Sequence, residues 1–220
     1  VSLTDLAPTF VELAGLPVEP HVTGRSIAGL ILGRADSVRR DAVFVERERH
    51  AHVRRGDLSY PVRGIRTKDF LYLWNLRPDR WPAGDPALYH SVGAFGDVDL
   101  SPLKDLLVGG AARPDLAPYR ALTLERRPPE ELYDLRTDPD CVRNLLAPPT
   151  TAPGAAELRA QLWAELKASG DLRALGRGAE YEAYPSADVR RRGFYEKYLR
   201  GEKLDANWVI PSDWEPAPLK

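Results

Sequence analysis

Apolar residues recur at helical spacing in the first stretch of the chain. Leu6, Phe10, Leu13 and Ala14 fall on one face, Asp5 stands where a cap belongs, and Pro8 lies inside the first turn, where a missing N–H costs nothing. Gly15 and Pro17 stop that helix. A second, shorter one is predicted over Ile27 to Leu32, capped by Ser26 and closed by Gly33. The period then changes. Val43, Phe44 and Val45 form a continuous apolar run, as in a strand entering a core, and Val62 to Thr67 and Phe70 to Asn75 form a hairpin around Lys68 and Asp69. That hairpin sets Phe70, Tyr72 and Trp74 on one face, although Lys-Asp lacks the glycine that a two-residue turn favours.

From 76 to 127 the chain is dense in Pro, Gly and Asp, which predicts a long loop with one short helix near Ser101 to Val108. Trp81, Tyr89 and Phe95 in that loop either stack on a ligand or anchor the loop, and anchoring is the commoner role. A strand from Glu131 to Leu135 follows, then a helix opened by Asp138-Pro139 and running through Leu145. After a Pro-rich spacer comes an amphipathic helix with Ala155, Leu158, Leu162, Trp163 and Leu166 along one stripe, closed by Ser169-Gly170. The stripe is expected to cover one face of the antiparallel sheet. Beyond Asp171 the chain is charged and aromatic, without a clear core of its own.

Composition narrows the classes of function. A net charge of −1 gives no global field to recruit nucleic acid or an anionic membrane, and a hydrophobic content of 43% is ordinary for a folded chain of 220 residues. No stretch approaches the roughly 18 apolar residues that a membrane span requires. The absence of methionine and an opening in the middle of an apolar pattern read as a piece of something longer. The single cysteine, Cys141, excludes an internal disulfide and a thiolate metal cluster, and reads as a small side chain in the first turn of a helix.

Electrostatics is therefore local, and one tract stands out. Between Glu46 and Lys68 the chain carries Arg47, Arg49, Arg54, Arg55, Arg63, Arg66 and Lys68 against Glu46, Glu48 and Asp57, with His50 and His52 in the connection between the first strand and the hairpin. Guanidinium forks match the oxygens of carboxylate, phosphate or sulfate in pairs, and an imidazole can hydrogen-bond a sugar hydroxyl. Either these groups face an anionic ligand or the arginines pair with the acids of the same tract. His-x-His spacing permits a metal, but no clear third and fourth ligand accompanies it. No G-x-S-x-G elbow and no glycine-rich phosphate loop is present.

Three segments, in order and spacing, resemble the closing third of sulfatases of the alkaline-phosphatase superfamily. These are V-S-L-T-D-L-A-P-T-F-V-E-L-A-G-L-P at the start, H-V-T-G-R-S-I-A-G-L-I-L-G after it, and E-E-L-Y-D-L-R-T-D-P-D followed by N-L-L. R-H-A-H-V followed by S-Y-P-V-R-G-I-R-T looks most like the heparan N-sulfatase (sulfamidase) branch and its bacterial relatives.

The resemblance covers Val1 to about Leu172. It implies an α/β fold class in which residues 1–40 end the large domain and 41–172 form an α+β subdomain, a small antiparallel sheet packed against a helix. Residues 173–220 are then a tail outside the resemblance. In such enzymes a formylglycine made from Cys or Ser in a C/S-x-P/A-x-R motif attacks sulfur beside a calcium ion. The formylglycine motif and the calcium ligands lie in the family's N-terminal portion; Cys141 does not match the motif, and no catalytic residue or metal ligand carries over. The resemblance implies sulfated carbohydrate and the N-terminal catalytic domain as partners, and a periplasmic or secreted location. It makes His50 the foremost candidate for substrate contact, followed by His52, Arg54 and Arg55. The other readings are a non-catalytic module binding sulfated glycans and a piece of a phosphoesterase of the same superfamily.

Overall fold

The structure, a computed structural model, describes residues 1–34, 40–86, 94–147, 152, 154–187 and 189–202. Strands β1 (Ala42–Arg47), β2 (Val62–Thr67), β3 (Phe70–Asn75) and β4 (Glu130–Asp134) form one sheet in sequence order, each neighbouring pair antiparallel. Phe44, Ile65, Tyr72 and Leu132 stand opposite one another and make a continuous row across it. The N-terminal helices α1 (Leu6–Leu13) and α2 (Ala28–Ile31) precede the sheet. Helices α3 (Pro102–Gly109) and α4 (Ala117–Thr123) lie between β3 and β4, and α5 (Ala155–Ala168) follows β4. Helix α5 lays Ala155, Leu158, Leu162 and Leu166 over the row, and Trp163 meets Trp74 with ring centroids 4.8 Å apart. The period read in the sequence is the period buried.

The hairpin turn solves its missing glycine with a side chain. Thr67 Oγ1 accepts from the amides of Asp69 at 3.3 Å and Phe70 at 3.0 Å, so the hydroxyl closes a turn that the Lys-Asp pair leaves open. Glycine is required elsewhere, at Gly64 in the middle of β2. A Cβ there would sit 2.8 Å from Leu73 Cδ2 and 3.0 Å from Val45 Cγ2, side chains that lean together over the sheet face opposite α5.

The described parts of the loop from 76 to 127, residues 76–86 and 94–127, hold more structure than its composition predicts. Besides α3, capped by Ser101, it contains α4, and Ala83, Ala94, Phe95, Leu107, Leu116 and Leu124 bury one another in a second small core. Trp81 packs edge-on against Phe95 at 6.0 Å and lies under the Arg126 guanidinium at 5.0 Å, so both aromatic rings anchor the loop. Tyr89 lies outside the described residues. The helix expected from Asp138 does not form. The Asp138 carboxylate accepts the amides of Val142 and Arg143 within a tight turn, Cys141 takes a left-handed φ of 54°, and Asn144 Oδ1 accepts from Leu132 at 2.9 Å. Short polar side chains here bind the backbone in a turn instead of starting a helix.

Helix α1 is turned the opposite way from a usual surface helix. Asp5 and Thr9 are fully buried, whereas Leu6, Phe10 and Leu13 face outward, Phe10 with 63% of its surface exposed. The Asp5 side chain does not cap α1. It accepts from the amides of Ser2 and Arg25, each at 2.9 Å, and forms an ion pair with Arg40 that holds its carboxyl well below the usual carboxylate range. Thr9 Oγ1 donates to the Asp5 carbonyl and accepts from the amide of Ile27, which ties α1 to the entry of α2.

Candidate functional site

The connection between β1 and β2 is closed at its base by the Tyr60 amide donating to the Glu48 carbonyl at 3.0 Å. Its tip is a single 3-10 turn, Arg55–Asp57, in which Gly56 has a φ of 72°. Residues 81–86 are bonded to it, and residues 94–98 are bonded to 81–86. The Asp85 amide donates to the Val53 carbonyl at 2.9 Å, and the Asp97 amide donates to the Ala83 carbonyl at 3.0 Å. These bonds bring Asp97 beneath His50.

His50 stands at the rim with 67% of its side chain exposed, and its Nδ1 lies 3.1 Å from Asp97 Oδ1. The other Asp97 oxygen accepts from Arg54 Nη2 at 2.6 Å, and Arg47 approaches it at 4.0 Å. Arg54 is buried. Its Nε donates to the Trp81 carbonyl and its Nη2 to that of Pro82, both at 2.8 Å, while Nη1 has no acceptor among the described residues. Burial lowers the Arg54 pKa, yet a guanidinium this far from neutrality stays charged. Tyr60 lies beside Arg54 and Arg47, with ring-to-guanidinium distances of 5.7 and 5.4 Å. Burial pushes its phenol up to about 12, so it remains neutral, and its hydroxyl is likewise unpartnered among the described residues.

The four residues singled out in the sequence divide into two groups. His50 and Arg54 share Asp97. His52 is buried, with Nδ1 3.1 Å from Asp57 Oδ1 and its ring stacked on Phe194 at 6.3 Å. Arg55 is exposed next to it, its amide donating to Asp85 Oδ2, which also receives the Tyr195 hydroxyl. Glu46, Glu48, His50 and His52 do not converge, and among the described residues no group of three or more His, Cys, Asp or Glu side chains is placed to hold a metal ion.

The pairing alternative holds for Arg63, with acids from inside and outside the tract. Arg63, with no exposed surface, donates to Glu48 at 2.5 Å and to Asp171 at 2.8 Å. Arg173 adds Glu48 at 2.8 Å and Glu182 at 3.0 Å, and Glu182 takes Arg80 and the Ser59 hydroxyl, each at 2.8 Å. Glu182 belongs to α6 (Ala179–Ala183), and α7 (Phe194–Leu199) adds Glu196, which accepts the Gly56 amide at 2.8 Å. Among the described residues after 172, Arg173, Glu182 and Glu196 therefore clamp the connection from behind. None of Asp97, Asp85, Arg173 or Glu182 stands out in the sequence, because each has partners far along the chain.

On the sheet face opposite α5, Val45, Leu71 and Leu73 floor a groove of about 400 Å³ whose polar end is formed by Arg47, Tyr60 and Arg127. It shares Arg47 and Tyr60 with the rim.

An antiparallel meander backed by a helix, carrying a basic rim on its first connection, defines an α+β class of architecture. No protein-family model matches the chain, and no curated protein matches it. Among solved structures, it is similar to a putative sulfatase from Bacteroides thetaiotaomicron and to a 2-O GAG sulfatase. Each is 20% identical with a TM-score of 0.47 and covers 97% of this chain. It is also similar to a protein solved in complex with its substrate D-glucosamine-2-N,6-O-disulfate, at 21% identity, a TM-score of 0.43 and 76% of this chain. The chain spans 28% of the length of the first two and 24% of the third.

Proposed function

We propose that the chain is the C-terminal portion of a sulfatase that hydrolyses sulfate esters or sulfamates of sulfated sugars, and that it supplies substrate contacts and scaffold. The observation that carries this reading is the rim itself. A solvent-facing imidazole stands over a buried carboxylate and guanidinium, with Arg47 and Arg55 exposed nearby, on the connection whose sequence resembles the sulfamidase branch. His50 and Arg55 meet the sulfated sugar directly, and Arg54 and His52 brace the connection beneath them. The formylglycine and the calcium that would neutralise the sulfate belong to the N-terminal catalytic domain, and the location is periplasmic or secreted.

The inverted helix α1 supports a missing partner. Its outward Leu6, Phe10 and Leu13, with Leu30 and Ile31 of α2, make an apolar surface of the kind that marks an interaction site. The test is calorimetric titration of the chain with an N-sulfated glucosamine disaccharide, alongside the reading frame upstream of Val1. Binding that weakens about tenfold in His50→Ala, together with an upstream C/S-x-P/A-x-R motif, is the expected result. Binding without the motif indicates a glycan-binding module. Absence of binding refutes the substrate-contact role.

A further inference from the structure

The geometry points to Asp97 as a positioning residue that fixes the proton on one nitrogen of His50 and presents the other, Nε2, to a ligand hydroxyl as an acceptor. An ionised carboxylate only accepts hydrogen bonds, so the imidazole nitrogen 3.1 Å from Asp97 Oδ1 carries the proton. That leaves Nε2 as the lone-pair nitrogen, and it has no partner among the described residues. Asp97 is held for this task. It has 2% side-chain exposure, its second oxygen is fixed by Arg54 at 2.6 Å, and Arg54 is fixed in turn by the carbonyls of Trp81 and Pro82. Among the described residues, the charged groups beside Asp97 other than His50 are Arg54 at 2.6 Å and Arg47 at 4.0 Å. A carboxylate that orients an imidazole in this way selects its tautomer, and replacement by an amide inverts it.

His52 carries the same bond to Asp57, but it is buried and stacked on Phe194, so its ring is not offered at the surface. Of the two histidines in the tract, the structure orients one outward. The identity of the ligand rests on the proposed function; the tautomer does not.

The experiment is long-range proton–nitrogen correlation NMR on the 220-residue chain labelled with 15N-histidine, above the titration of the imidazoles. His50 is picked out among the 4 histidines by the loss of its signals in His50→Gln. Wild type is expected to show Nδ1–H with a bare Nε2, and Asp97→Asn to shift His50 to Nε2–H while His52 is unchanged. Asp97→Glu, which restores the carboxylate, is expected to keep Nδ1–H and decides the matter should the amide variant not fold. Nε2–H in the wild type, or no change of tautomer in a folded Asp97→Asn, overturns the inference. The readout needs no ligand, so failure of the disaccharide to bind, with the tautomers as expected, removes the substrate-contact role and leaves the positioning role standing.

Discussion

Glu182 offers the most quantitative check on how the C-terminal segment holds the candidate site. Partial burial by itself raises the pKa of this carboxyl, but hydrogen bonds from Arg80, Ser59 and Arg173 outweigh burial and bring it from 4.5 down to about 2. A group whose folded pKa is depressed contributes stability that is fully present above the unfolded value and is lost as pH falls through the folded one. The shift corresponds to roughly 3 kcal/mol at about 1.36 kcal/mol per pK unit, and solvent screening of the exposed fifth of the side chain trims this to about 2 kcal/mol. Replacement by glutamine is therefore expected to cost about 2 kcal/mol at pH 7. The difference between wild type and Glu182→Gln shrinks to about 1 kcal/mol at pH 3, because there the unfolded chain takes up a proton that the folded carboxylate, still mostly ionised, does not. Urea denaturation of both proteins at pH 7, 5, 4 and 3 reads the difference directly. A cost below about 0.5 kcal/mol at pH 7, or a difference that does not change between pH 5 and pH 3, shows that the guanidinium cluster does not hold Glu182 as described.

Two further outcomes test the core and the thiol. Leu162→Ala removes a side chain 2% exposed under the sheet row and is expected to cost about 2 to 5 kcal/mol in the same assay, well above the same change at exposed Leu103. Burial and the neighbouring Asp138 push the Cys141 thiol up, so at pH 7.5 it is expected to react with an aromatic disulfide reagent more slowly than free cysteine, and Asp138→Asn to speed it.

The parts of the fold legible in the sequence are those with an unbroken period. The hairpin and α5 announce themselves because Phe70, Tyr72 and Trp74 alternate, and Leu158, Leu162 and Leu166 repeat at helical spacing, and these are the residues that meet in the core. Where short polar side chains compete for the backbone, the period misleads. Asp138-Pro139 has the form of a helix start, yet its carboxylate finds Val142 and Arg143 amides within a turn. α4 escapes notice because none of its own residues is buried; it is held by Leu116 and Leu124 at its flanks. The same logic divides the site. The basic tract and its histidines are visible because they are contiguous, whereas Asp97, which gives His50 its orientation, lies 47 residues away and has no local signature. The inward Asp5 is hidden by the apolar stripe beside it. A pattern shows which residues share a face and not which way that face points.

The clamp behind the connection has a consequence for how the protein is made. The bonds that lock the tip join groups 123 residues apart between Ser59 and Glu182 and 140 apart between Gly56 and Glu196. Loop closures of that span come late, after local contacts have formed. A nascent chain halted near residue 170 is expected to have its meander and α5 while the rim still samples other shapes. The shape of the rim would settle only after residues as far as 196 have been made, and would loosen once a protease removed them.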